Sequence, residues 1–104
     1  MEYKVILTSD AERDLDGFLH YLINEKQEFL AARNVMRDFE ETKLQLASAA
    51  DSLKLCENPK LKKLGYRRIN FRSHRYFMLY RIADDRVVID AIFHSLQDYE
   101  NKMI

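Results

Sequence analysis

Hydrophobic residues recur every three or four positions from Ala11 to Leu53 and every second position from Tyr66 to His94. The first spacing is that of a helix with one buried face, the second that of a β-strand, and no single element type satisfies both. Pro59 stands at the changeover: it has no N–H and holds Asn58 extended, so no helix runs through it. Ahead of the helices, "EYKVILT" alternates Tyr3, Val5 and Leu7 with Lys4, Ile6 and Thr8 and reads as an opening strand. The order is therefore β-α-α-β-β-β, an α+β fold in which a helical hairpin covers one face of a small, largely antiparallel sheet. A chain of 104 residues suits one domain spanning residues 1–104.

Local signals place the boundaries. Ser9 and Glu12 have capping-box spacing, which starts a first helix over about residues 10–25 with Ala11, Leu15, Phe18 and Leu22 on one face. After the polar break "NEKQE", Ala32, Val35, Met36, Phe39, Leu46, Ala50 and Leu53 mark a second helix, and "PKLKKLG" reads as a basic connection. "YRRINF", "RYFMLYRI" and "RVVIDAIFH" are three strands, the last two joined by a hairpin loop at "ADD". Strict alternation puts Val87, Ile89, Ala91 and Phe93 on a core face with Phe77, Leu79, Ile69 and Phe71. The opposite face then collects Arg68, Asn70, Arg72, Tyr76, Met78, Tyr80, Val88, Asp90, Ile92 and His94, a half-polar surface.

The net charge is zero but unevenly spread. Residues 1–58 carry 7 Lys+Arg against 12 Asp+Glu, residues 59–82 carry 8 against 0, and residues 83–104 carry 2 against 5, giving −5, +8 and −3. A basic block in an otherwise acidic chain favours an anionic partner, either nucleic acid or an acidic protein segment. The single cysteine, Cys56, has no partner for an internal disulfide and reads as a small buried apolar residue; three scattered histidines offer no metal-ligand spacing, and no cofactor motif is present. No apolar run is long enough to span a bilayer and no signal peptide opens the chain, so a cytoplasmic protein without a membrane partner is expected.

The order of elements and their wording resemble the RelE/ParE toxin superfamily of bacterial type II toxin–antitoxin systems. The resemblance runs through "YKVILT", "AERDLDGFLHYL", the proline after the second helix, "GYRRI", "YFMLYRI" and "VVIDAIFHSLQDYENKM". It implies a small toxin wrapped by a helical, often acidic, segment of its cognate antitoxin, meeting operator DNA only through that partner. RelE-like members are ribosome-dependent mRNA endonucleases, whereas ParE-like members poison DNA gyrase and lack the nuclease residues. RelE-like toxins carry an arginine early in the third strand, where this chain has Phe77 in "YFMLY", and basic residues after the last strand, where it has Ser95-Leu96-Gln97-Asp98. Those departures move the likeness towards the ParE-like side, with gyrase as the expected target.

Three functions stay open on this reading: a gyrase-directed toxin that is not an enzyme, an mRNA endoribonuclease on the ribosome, and an inactive homologue that only binds antitoxin. The nuclease requires a general acid or base, for which His94 at the end of the last strand is the candidate catalytic residue, together with arginines able to stabilise a phosphorane. Arg67, Arg68, Arg72, Arg75, Tyr76, Tyr80 and Tyr99 are the candidate anion- or partner-binding residues, Tyr99 by stacking on a base. His74, beside Ser73 in a predicted turn, is no evidence for a hydrolase, because a triad needs convergence in space.

Overall fold

In the computed structural model, which describes residues 2–73 and 75–103, strand β1 (Lys4–Leu7) leads directly into helix α1 (Ser9–His20). Thr8 caps α1 by accepting from the Ala11 N–H at 3.2 Å, one residue before the expected serine. The sheet dictates the choice, since Thr8 donates its N–H to the Ile89 carbonyl at 3.0 Å and its hydroxyl to the Asp90 carbonyl at 3.3 Å. Asp10 and Glu12 in the first turn suit the positive end of the helix. The helix ends in a π-helical turn, Tyr21–Glu25, and Gln27 reverses the chain with φ 53° before helix α2 (Phe29–Ala49).

The expected basic connection is instead a short helix, α3 (Pro59–Lys63). Asn58 Oδ1 accepts from the Lys60 and Leu61 N–H groups at 3.0 and 3.2 Å, and Pro59 takes the first helical position, where a missing N–H costs nothing. Gly65, at φ 85°, closes it: its N–H donates to the Lys62 carbonyl and the Tyr66 N–H to that of Leu61, which satisfies the last carbonyls through a left-handed residue. The proline read as the end of one helix thus begins another.

Strands β2 (Arg67–Asn70), β3 (Tyr76–Ala83) and β4 (Arg86–His94) complete a four-stranded sheet in the order β1-β4-β3-β2, and helix α4 (Tyr99–Met103) follows. β1 runs parallel to β4 and the other pairs are antiparallel, so the expected α+β architecture is the one observed. No helix among the described residues is long and apolar enough to cross a membrane.

The expected sorting of side chains between the two faces fails in two places: pairing with Met78 sets Ile69, and Phe71 after it, on the side away from Phe77 and Leu79, and β4 carries a bulge. Leu79 pairs with Ala91 and Tyr80 with Ile89, which leaves Asp90 as a bulge in β4. Alternation inverts there, so Val87, Ile89 and Ile92 face α1 and α2 while Ala91 and Phe93 face away. Tyr76, Met78 and Tyr80 join Phe71 in the core beneath the helices. Phe77, Leu79, Ala91 and Phe93 make a second core with Cys56 and Leu61, closed by Tyr66, Tyr99 and Met103. Neither face is solvated in the middle of the sheet: α1 and α2 cover Tyr76, Met78, Tyr80 and Ile92, expected on the half-polar face, while α3 and α4 cover Phe77, Leu79, Ala91 and Phe93, expected on the core face. The bulged Asp90 accepts from the Tyr66 hydroxyl at 2.7 Å and from Arg81 Nε at 2.9 Å.

Tyr80, expected among the partner-binding residues, has no exposed surface. Its hydroxyl donates to the Ala50 carbonyl at 2.7 Å, just past the end of α2. Burial pushes its phenol up to about 12. The unfolded phenol ionises near pH 10, so this contribution to stability is intact below pH 10 and lost as the pH rises towards about 12. Two pH units correspond to about 2–3 kcal/mol, and Tyr80→Phe is expected to move alkaline unfolding to higher pH, followed by circular dichroism beside tyrosinate absorbance. An unmoved transition would mean that other groups drive it.

Candidate partner-binding groove

The register that sets Tyr76, the first residue of β3, opposite His94, the last of β4, puts both on the helix side at the end of the sheet. The rings meet edge to face, with centroids 5.1 Å apart. Phe18 of α1 closes on Tyr76 from above at 5.0 Å and Phe71 from the side at 5.8 Å. Burial raises the Tyr76 phenol, and the neighbouring Arg75 pulls it partly back. Asp14 anchors α1 here by accepting from the Ile92 N–H at 3.0 Å; burial raises its carboxyl, which that hydrogen bond partly offsets.

These residues floor an open groove of about 850 Å³ between α1, the first half of α2 and the sheet end. Phe18, Leu22, Ala31 and Val35 give it apolar walls, while Asn34, Ser73 and Gln97 offer hydrogen-bonding groups. Lys26 and Arg75 are balanced by Glu28 and Asp38. His94 is held by its own turn: its backbone N–H donates to Gln97 Oε1 at 2.8 Å, and Nδ1 accepts from the Leu96 N–H at 3.2 Å. In the neutral ring the proton therefore sits on Nε2. Beside the groove, Tyr21, Phe29 and Leu30 are 50%, 64% and 68% exposed, an apolar rim at the tip of the helical hairpin.

Of the candidate residues, only His94, Arg75 and Tyr76 converge here. Arg67 shares the helix face of the sheet, but its guanidinium donates to the Leu53 carbonyl and, at 3.4 Å, to that of Asp51, which ties the end of α2 to the edge strand. Arg68 lies on the opposite face, over Phe77. Arg72 forms a 3.7 Å ion pair with Glu41, with both side chains largely in water, a contact of little energetic weight. Tyr99 packs on the second core, its ring 5.1 Å from that of Phe77, rather than standing free to stack on a base. Cys56 is buried, and burial raises its thiol. His74 lies outside the described residues. Phe18, Tyr21 and Asp38 were missed as groove residues, although the unbroken apolar run Phe29-Leu30-Ala31-Ala32 beside a polar turn signals more apolar surface than one buried face needs.

Residues 5–99 match a family model described as "ParE toxin of type II toxin-antitoxin system, parDE". A solved structure described as "Chromosomal ParDE TA system from P. aeruginosa" superposes with a TM-score of 0.70 at 20% sequence identity, covering 89% of this chain and 96% of that one. At that identity the likeness is one of fold. No curated protein matches the sequence.

Proposed function

The chain belongs to the ParE toxin family of type II toxin–antitoxin systems, and we propose that it arrests growth in the cytoplasm by gripping a protein target, DNA gyrase, while a cognate antitoxin keeps it silent. One observation carries this reading: the groove has apolar walls and balanced charge. Affinity for nucleic acid comes first from a cationic surface facing the phosphates, and two cations against two carboxylates do not make one. An apolar channel with a few polar groups suits an amphipathic protein helix laid between the hairpin and the sheet. The antitoxin would fill it, meeting operator DNA through its own surface.

The dispersal of the arginines supports the same conclusion. In-line attack by a 2′-hydroxyl needs cationic stabilisation of the phosphorane beside the acid and base. Arg67 and Arg81 are committed within the fold and Arg68 is on the other face, which leaves Arg75 as the arginine beside His94. The convergence of His94, Tyr76 and Arg75 favours an mRNA endonuclease as the second reading. His94→Ala is expected to leave growth arrest within about twofold, since general acid–base catalysis contributes at least about a hundredfold where it operates. Controlled expression, with a reporter mRNA on translating ribosomes followed beside plasmid supercoiling, tests both. Intact mRNA with altered topology supports the gyrase reading; codon-positioned cleavage that His94→Ala abolishes would replace it with the nuclease.

A further inference from the structure

Arg68 is ordered by aromatic rings and an amide, with no acidic partner among the described residues. Its guanidinium lies 3.7 Å from the centroid of the Phe77 ring and 5.6 Å from that of Tyr99. Nε donates to Asn70 Oδ1 at 3.0 Å. Among the described residues no carboxylate lies within ion-pair distance, whereas Arg72 and Arg81 each have one and Arg67 is bound to carbonyls. Stacking and the Asn70 contact hold the planar group in place, and among the described residues nothing accepts from its two terminal nitrogens. A guanidinium ordered in advance loses less freedom when it captures an anion.

The surroundings say which anion. Arg68 borders a groove of about 470 Å³ with apolar walls from Leu53, Leu55, Cys56 and Ile69. Lys54 and Glu57 in the same groove offset one another, which leaves Arg68 as its one unbalanced charge. A nucleic-acid backbone carries a phosphate at every step and needs a row of cations. One guanidinium next to an apolar trough matches a single carboxylate beside an aliphatic side chain. From this we propose that the outer edge of β2, where Arg68 emerges, carries a second docking site, in which Arg68 takes a carboxylate of an acidic, aliphatic peptide segment whose neighbouring side chain enters the trough. The site rests on the reading that this chain is held by a protein partner, and places part of that partner along the β2 edge, away from the first groove.

The probe is a blocked Val-Glu-Leu peptide titrated into the isotope-labelled full chain and followed by NMR, with Val-Gln-Leu, inorganic phosphate and an oligothymidylate as comparisons. The expected result is saturable movement of the Arg68 side-chain N–H and the Cys56 and Asn70 amides with the glutamate peptide. Because a charged hydrogen bond is at stake, the glutamine peptide should bind about tenfold more weakly. Arg68→Met keeps an apolar cover over Phe77 and should weaken the glutamate peptide about tenfold at an unchanged melting temperature. If that variant folds poorly, Arg68→Gln serves in its place. Equal binding of the two peptides, preference for phosphate or oligonucleotide, or no movement into the millimolar range would overturn the site. So would loss of stability in Arg68→Met without loss of affinity, which would make Arg68 a packing residue. The readout needs neither growth arrest nor an antitoxin, so the peptide site and the toxin reading can fail separately.

Discussion

Replacing Phe77 with alanine is expected to lower the unfolding free energy by about 3–5 kcal/mol, the range for emptying a packed aromatic site. Phe77 is 1% exposed, with its ring 5.6 Å from that of Phe93, 5.1 Å from that of Tyr99 and directly beneath the Arg68 guanidinium. Truncation removes the floor on which α4 rests as well as the ring itself. The prediction separates two pictures of the molecule. If only the face under α1 and α2 were packed, Phe77 would be a surface residue and its loss would change stability by about 0.5 kcal/mol or less. Urea denaturation measures the difference, and a loss below about 1 kcal/mol would contradict the second core. The same variant should loosen Tyr99 and the segment it anchors, visible as faster amide exchange over 99–103.

The order of elements could be read from the sequence because hydrophobic period is a direct image of which faces are buried, and it changes once in this chain. What could not be read follows from the two ways that image blurs. A bulge adds one residue without altering composition: in "VVIDAIF" Asp90 occupies an ordinary polar place, and only its hydrogen bonds to Tyr66 and Arg81 explain the inversion after it. Short helices are the second. α3 and α4, at five residues each, are too brief to display a period, yet they close a second core over Phe77 and Phe93, so that both faces of the sheet are buried where alternation implies one.

The candidate site shows the same division. Tyr76 and His94 could be placed together because both stand near the ends of adjoining strands and on the helix side of the bulge, where the parity holds. The arginines could not, because a run of positive charge along the chain is not a surface. Arg67 and Arg68 are neighbours whose side chains leave opposite faces of β2, one towards the end of α2 and the other onto Phe77. Arg72 sits beyond the strand and reaches Glu41, while Arg81 turns inward to Asp90. Eight cations without an acid between them thus divide among separate environments, and the groove they seemed to announce is held together mainly by apolar residues of the helices.

The tip of the helical hairpin is where that groove can be tested without harming the fold. Phe29 and Leu30 are the first two residues of α2, 64% and 68% exposed. Aspartate in a first helical turn interacts favourably with the unpaired N–H groups, so Phe29→Asp with Leu30→Asp should leave stability unchanged within about 0.5 kcal/mol or raise it. Binding should respond in the opposite way. Each large apolar side chain covered by a partner contributes about 1.5–3 kcal/mol, and a carboxylate in its place adds a desolvation cost, so the double variant should bind antitoxin at least about a hundredfold more weakly. Calorimetric titration with a cognate antitoxin, together with a thermal melt, reads both quantities on one preparation. Unchanged affinity would mean that the antitoxin seats elsewhere and leaves the groove to the target. Lost affinity with growth arrest intact would mean that antitoxin and target use different surfaces. Loss of both would mean that they compete for the same groove, so that neutralisation is occlusion, with no change in the shape of the toxin required.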